Sequence, residues 1–291
     1  MSKKRISADK NSASDWLTRS LKRHGFVGVA LSGGKSDKTC VARLEYYPEQ
    51  HKIFLSELND KMRGEGELSA DKILHEHVLQ SKLKAEYIAY NVALTFPKCV
   101  SCRLKCPGYE DCRVTEIQWM WQHYRNQLEK GRDRKLFTPY TERCVEQYVA
   151  TEFDEPFHVQ SALGANMAPL TARAHFINRR LKLKAIEVFP KLSLWRIGTA
   201  LHIQKSHLKS HKHSFGGEES RTAILKELIR REIAFLYEQD VRLMVESGNA
   251  FDAFICALTA VLKFRGQCER RPKGFPPREG WIEIPKESIV W

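Results

Sequence analysis

The chain has 291 residues, 42% hydrophobic and 29% charged, with 48 Lys+Arg against 35 Asp+Glu and a net charge of +13. This composition describes a soluble globular protein long enough to bury a large core, as one elaborated domain or two small ones. A membrane span is excluded, because the longest apolar run, Ala250 to Leu262, is broken by Asp252.

The N-terminus MSKKRISADKNSAS lacks the apolar core of a secretory signal, so a cytoplasmic, reducing location is expected. An excess of positive charge attracts polyanions, most often nucleic acid, although it also serves general solubility. The charge does not distinguish DNA from RNA, nor does the sequence define an oligomeric state.

Residues 1–24 read as a basic N-terminal tail, within which Asp15 to His24 can form a short amphipathic helix capped by Ser14. Phe26 to Leu31, Thr39 to Tyr47 and His51 to Leu58 read as three strands of a meander. The Ser32-Gly33-Gly34-Lys35-Ser36-Asp37 turn between the first two leads into a strand and lacks P-loop spacing, which favours a hairpin over a nucleotide site. Lys35 and Lys38 there can still touch a nucleic-acid backbone. Ser69 to Lys84 reads as a helix with Ser69 as N-cap, and Glu86 to Asn91 as a fourth strand.

Residues 115–153 read as helical and tryptophan-rich, 165–183 as a helix, and Lys184 to Phe189 as a fifth strand stopped by Pro190. Glu218 to Glu246 reads as one long helix, Ala250 to Phe264 as the last, with a short strand near Trp281 to Ile284. The domain reading is a tail (1–24) followed by one α/β domain (25–291) carrying a Cys-rich, helical insertion at about 96–160.

Half of the eight cysteines, Cys99, Cys102, Cys106 and Cys112, crowd into the run CVSCRLKCPGYEDC. A Cys-x-x-Cys opening lets two thiolates reach one ion, and Pro107-Gly108 turns the later pair toward it. Zinc suits such a thiolate set. An iron–sulfur cluster is the alternative, although the spacing departs from the common ferredoxin run. Two local disulfides, or unrelated thiols, are the plainer readings, and a reducing compartment argues against the first.

In chain order, VGVALSGGK (27–35), IAYNVALTFPKC (88–99), GANMAPLTARA (164–174), AIEVFP (185–190), NAFDAFICALTA (249–260) and EGWIEIP (279–285) resemble the domain-of-unknown-function 429 family of predicted ribonuclease-H-like nucleases. The resemblance implies a ribonuclease-H-like fold: a mixed sheet, with an antiparallel meander extended by parallel strands, flanked by helices. It also implies two-metal hydrolysis of nucleic-acid phosphodiesters, in which carboxylates hold two Mg²⁺ or Mn²⁺ ions through hard oxygen ligands.

The chain departs from the family pattern where the first-strand acid aligns with Ala30 and the fourth-strand acid with Asn91. Glu187 and Asp252 remain as candidate metal ligands, with Asn91 and Asp37 as weaker contributors. Each has a plainer reading. Glu187 can be a strand-end carboxylate paired with Lys182 or Lys184. Asp252 can complete a capping box begun by Asn249.

Arg173, Arg179 and Arg180 form a basic face on the 165–183 helix, and Lys205, Lys209 and Lys212 another in the run KSHLKSHKHSFGG. Both can contact phosphates, and both can be ordinary solvated surfaces. His207, His211 and His213 have a spacing that can bind metal, but a His/Lys run reads more simply as a solvated loop. The expected function is therefore a metal-dependent nuclease with an incomplete carboxylate set. The alternatives are a catalytically inactive nucleic-acid-binding or assembly module with a structural zinc, and an iron–sulfur or redox-sensing protein.

Overall fold

The apolar run HGFVGVA forms β1 (His24–Ala30), and its alternation divides the molecule into two layers. Phe26 and Ala30 face one core cluster, while Val27 and Val29 face another. The computed structural model describes residues 22–33, 38–80, 83–132, 135–153 and 157–291. Residues 15–21 of the first expected helix, and Lys35 and Asp37, lie outside the described residues, and His24 opens β1 instead of closing a helix.

β1 pairs antiparallel with β2 (Cys40–Tyr47), which pairs antiparallel with β3 (Lys52–Asn59). On its other side β1 pairs in parallel with β4 (Ala85–Tyr90), and β4 with β5 (Ala185–Glu187). With β6 (Ala234–Phe235) the sheet has six strands in the order β5-β4-β1-β2-β3-β6. The protein is thus an α/β protein with a mixed sheet flanked by helices.

Helices α1 (Ala70–Leu79) and α5 (Met167–Leu181) cover the Val27/Val29 face. Ser69 caps α1 as its sequence position suggests, accepting from the Lys72 N–H at 3.2 Å. The opposite face is covered by α6 (Pro190–Ala200), α7 (Lys205–Ser210), α8 (Gly217–Arg230), α9 (Glu238–Glu246) and α10 (Gly248–Phe264). The segment after β4 carries α2 (Lys98–Ser101), α3 (Thr115–Glu129) and α4 (Cys144–Thr151). These build a third, aromatic-rich cluster with Phe275, Trp281 and Ile282 of the C-terminal segment.

The long helix expected over 218–246 is instead two helices separated by a strand. The chain leaves α8 through Glu232, at φ 53°, and Ala234 and Phe235 pair with Ile53 and Phe54 of β3. The reason lies in Ile233-Ala234-Phe235-Leu236-Tyr237, a β-branched and aromatic run that gains more by closing the sheet edge than by continuing a helix. The strand expected near 281–284 is reduced to single bridges, Ile282 to Glu187 and Pro285 to Cys268.

α10 is buried from Ala250 through Leu262, on every side. Its apolar composition belongs to this core, and among the described residues no single helix is long and apolar enough to cross a membrane. The helix lies so close to β1 that a Cβ on Gly28 would stand 2.0 Å from the Ala253 carbonyl oxygen and 2.5 Å from the Ala257 nitrogen. Backbone cannot give way there as a flexible side chain could. Gly28→Ala is therefore expected to lower the unfolding free energy by about 3 kcal/mol or more. Gly33→Ala, whose Cβ would meet only Leu170 at 3.8 Å, should stay within about 0.5 kcal/mol of the parent. Urea denaturation of both variants checks this, and equal stabilities would show that the helix can lift from the strand at little cost.

Candidate functional site

Three parallel strands end level with one another. The Asn91 N–H donates to the Val29 carbonyl at 3.2 Å, the Leu31 N–H donates to Asn91 Oδ1 at 2.9 Å, and the Val188 N–H donates to the Tyr90 carbonyl at 2.8 Å. The first turn of α10 lies beside these ends. A cleft of about 490 Å³ opens there, and Asn91, Glu187 and Asp252 all line it, together with Lys209, His211 and Lys212. The carboxyl ends of parallel strands are the usual ligand position in open α/β sheets. Ala30, at the end of β1, is fully buried in the α10-side core and offers no ligand atom.

Glu187 leaves the sheet on the face opposite Ile186 and Val188, which belong to the α10-side core. It is 4% exposed. Its partner is neither Lys182 nor Lys184 but Arg143, at the start of α4. The two make a fork-to-fork pair, Nη1 to Oε1 at 2.8 Å and Nη2 to Oε2 at 2.9 Å. Oε1 also accepts from the Leu94 N–H at 2.7 Å.

The same guanidinium donates from Nε to Glu146 Oε1 at 2.9 Å and from Nη1 to Thr95 Oγ1 at 2.7 Å. Burial works against the Arg143 charge, yet the Glu187 and Glu146 carboxylates raise its pKa above the ordinary arginine value. Burial pushes the Glu146 carboxyl up to about 7, with Arg143 opposing. The C-terminal segment seals this cluster. The Glu283 N–H donates to the Glu187 carbonyl at 2.8 Å. Gly280 lets the backbone approach so closely that a Cβ there would stand 2.3 Å from Thr95 Oγ1 and 2.7 Å from Arg143 Nη1.

Asp252 is 1% exposed, just past the first turn of α10. It takes no part in a capping box. Ser247 caps the helix, accepting from the Ala250 N–H at 3.2 Å, and Asn249 donates to the Lys38 carbonyl instead. Lys212 ion-pairs with Asp252 Oδ2, and His211 Nε2 stands 3.6 Å from Oδ1. Oδ1 and His211 Nδ1 are both buried without a hydrogen-bond partner. His211 is 3% exposed, with its ring 6.0 Å from that of Phe251. The solvated-loop reading therefore fails for His211, although exposed His213 fits it.

The carboxylate oxygens that remain are largely occupied by cations and amides. Glu187 has both oxygens on Arg143, Asn91 Oδ1 holds the Leu31 amide, and one oxygen of Asp252 faces Lys212. Among the described residues no group of three or more His, Cys, Asp or Glu side chains stands ready-arranged as a metal-ligand set.

The basic residues separate into four groups. Lys38, Lys61, Arg63 and Arg221 line a second cavity of about 1060 Å³ together with Asp60, Glu218 and Glu246, and it shares Lys212, His213 and Asn249 with the cleft. Arg173 is tied elsewhere, to Asp71 at 2.8 Å, the Ser32 carbonyl at 2.6 Å and Thr39 at 3.1 Å. Arg179 and Arg180 are exposed at the far end of α5, about 18 Å along the helix axis from Met167 at the cleft. Lys205 and Lys209 lie over the Trp195 ring at 5.5 and 5.7 Å.

All eight cysteines are free thiols. Cys99, Cys102, Cys106 and Cys112 line one cavity of about 830 Å³ beside α3. The single turn of α2 brings the Cys102 N–H to the Cys99 carbonyl at 3.4 Å, and Gly108, at φ 95°, turns the chain between the later pair.

Arg143 was not singled out in the sequence, because its partner lies 44 residues away. A buried ion pair contributes little net stability, but removing one member strands the other. Arg143→Met is therefore expected to cost about 3–5 kcal/mol in the native background. In a Glu187→Gln background it should cost less, by at least about 1 kcal/mol of coupling. Denaturant titration of the four-member cycle reads this, and strict additivity would show that the two side chains do not depend on each other.

No curated protein and no solved structure matches the chain. A family model described as a protein of unknown function (DUF429) matches residues 125–276, just over half of the chain. That span holds Arg143, Glu187, His211, Lys212 and Asp252, and it leaves out the cysteine loop. The chain belongs to this DUF429 family of proteins of unknown function.

Proposed function

We propose that this protein is a ribonuclease-H-like nucleic-acid-binding protein whose cleft has lost the carboxylate set for two-metal hydrolysis. The observation that carries this reading is charge matching within the cleft. Glu187 is locked by Arg143, Asp252 is paired with Lys212, and alanine and asparagine stand at the other two expected acid positions. Two divalent ions need several open carboxylate oxygens between them, and each cation here competes for the same oxygens.

The strand order β5-β4-β1-β2-β3, with β2 antiparallel to both neighbours, supports the fold assignment. That assignment is an analogy of architecture, and the function rests on the site. Support for a polyanionic partner comes from the net charge of +13 and from Lys38 and Arg63 in the cavity that adjoins the cleft through Lys212 and His213, where cations outnumber Asp60, Glu218 and Glu246.

A second reading, a nuclease working through a rearranged site, is favoured by one observation. Asp252 Oδ1 is buried beside the cleft without a hydrogen-bond partner, an atom that an ion or a substrate hydroxyl would satisfy.

The test uses labelled single- and double-stranded DNA and RNA. Binding should weaken steeply as salt rises from about 50 to 200 mM. A Lys38→Glu/Arg63→Glu variant should bind about tenfold or more weakly, with a shallower salt slope and unchanged thermal stability. No substrate should be cut with Mg²⁺ or Mn²⁺. Cleavage that vanishes in Asp252→Asn would replace this proposal with the second reading. Absence of both binding and cleavage would overturn both.

A further inference from the structure

We infer that Cys99, Cys102, Cys106 and Cys112 together hold one zinc ion, and that this ion fixes the edge of the cleft. The inference goes beyond the nucleic-acid reading and does not depend on it. Three independent observations support it.

The first is how the two sets of thiols are engaged. Cys40, Cys144 and Cys268 are buried and donate to backbone carbonyls, and Cys256 is fully buried in α10. The four loop thiols have no such hydrogen bond among the described residues, and all four line one cavity, although they are not drawn up there as a ready ligand set and the ion would have to gather them. Neighbouring thiols that would repel one another as free thiolates are stabilised together by a divalent cation.

The second is the backbone. Residues 103–113 form no helix or strand, and no backbone–backbone hydrogen bond among the described residues involves them. A segment of that length beside a packed core requires another source of order. The Trp121 indole N–H, which donates to the Tyr109 carbonyl at 2.8 Å, supplies one tie. A four-thiolate ion would supply the rest.

The third is charge. A zinc ion with four thiolates carries about two net negative charges. Lys98, Arg103, Lys105 and Arg113, within and beside the run, outnumber Glu110 and Asp111 there by two and offset those charges. The spacing, with two, three and five intervening residues, departs from the ferredoxin run and favours zinc over an iron–sulfur cluster.

The position of the loop gives the ion its consequence. Leu94, whose N–H holds Glu187, and Thr95, whose hydroxyl accepts from Arg143, precede Cys99 by only a few residues. On the other side, Cys112 and Val114 pack against the aromatic cluster of α3 and α4. An ion closing 99–112 therefore clamps both chain segments that hold the Arg143–Glu187 pair.

The full chain, purified without added chelator, should contain about one zinc per molecule by elemental analysis. In native protein the thiol reagent DTNB should react slowly. After zinc is withdrawn with a chromogenic chelator it should report four reactive thiols, because the buried four stay protected until denaturant is added. Cobalt substitution should give the intense visible bands of a tetrahedral thiolate site. Amide exchange at Leu94 should accelerate on zinc removal, while β1 amides keep their protection.

A chain free of zinc, with four freely reactive thiols even after zinc is supplied, would overturn the site. Stoichiometric iron with brown absorption would overturn the choice of metal. Unchanged exchange at Leu94 would overturn the link to the cleft. Cys102→Ser/Cys106→Ser should lose the zinc, and the wild-type metal and thiol counts stand even if that variant fails to fold.

Discussion

The contact between α10 and β1 sets the geometry of everything around it. With glycine at position 28, the helix backbone rests on the strand backbone with no side chain between them. The helix is buried from Ala250 to Leu262 because the sheet holds one side and α6 and α9 pack against the others. It also drives Asp252 under the surface at the point where the parallel strands end. A carboxylate placed there needs a counter-charge, and the chain supplies one from Lys212, beside buried His211.

Around this core the α2–α4 segment and the C-terminal segment pack together in one cluster, and Arg143 joins them. A single guanidinium reaches β5 through Glu187, the β4 exit through Thr95, and its own helix through Glu146, while Gly280 brings the C-terminal backbone against it. The planar fork suits this work because its donors point in several fixed directions, which a lysine could not reproduce. The cleft is therefore walled by parts of the chain that are distant in sequence, and its acidic side chains Glu146, Glu187 and Asp252 are each matched to a cation.

Much of the scaffold was legible because its signals are local. Short apolar runs bounded by turn residues marked β1 to β4, Ser69 marked the start of α1, and the run around Ala250 to Phe264 marked the final helix. The resemblance directed attention to Asn91, Glu187 and Asp252, which line one cleft. What could not be read depends on long-range choices. The 218–246 segment has enough helix formers to suggest one helix, and only the open edge of β3 explains the strand at Ala234–Phe235. Asn249 looked like a cap because Asn is a good one, but Ser247 is placed to do it and Asn249 is drawn to Lys38. Arg143 gave no local signal at all. His211 was indistinguishable from its solvated neighbours until the fold turned it inward.

The depth at which α10 lies also bears on how the chain reaches its fold. The meander of β1 to β3 is complete by Asn59, yet the helix that covers its inner face ends only at Phe264. On a ribosome adding about 5–20 residues per second, that interval is roughly 10–40 s. Throughout it, Phe26 and Leu44 lack the helix that packs directly on β1 and β2, although α6 to α9 of the same layer are complete by Glu246. A nascent chain in this condition presents an open apolar sheet, the kind of surface that chaperones bind. Contacts closed over so many residues also favour slow folding. The close seat of the last helix, which makes the finished core dense, thus leaves the half-made protein exposed to aggregation during synthesis.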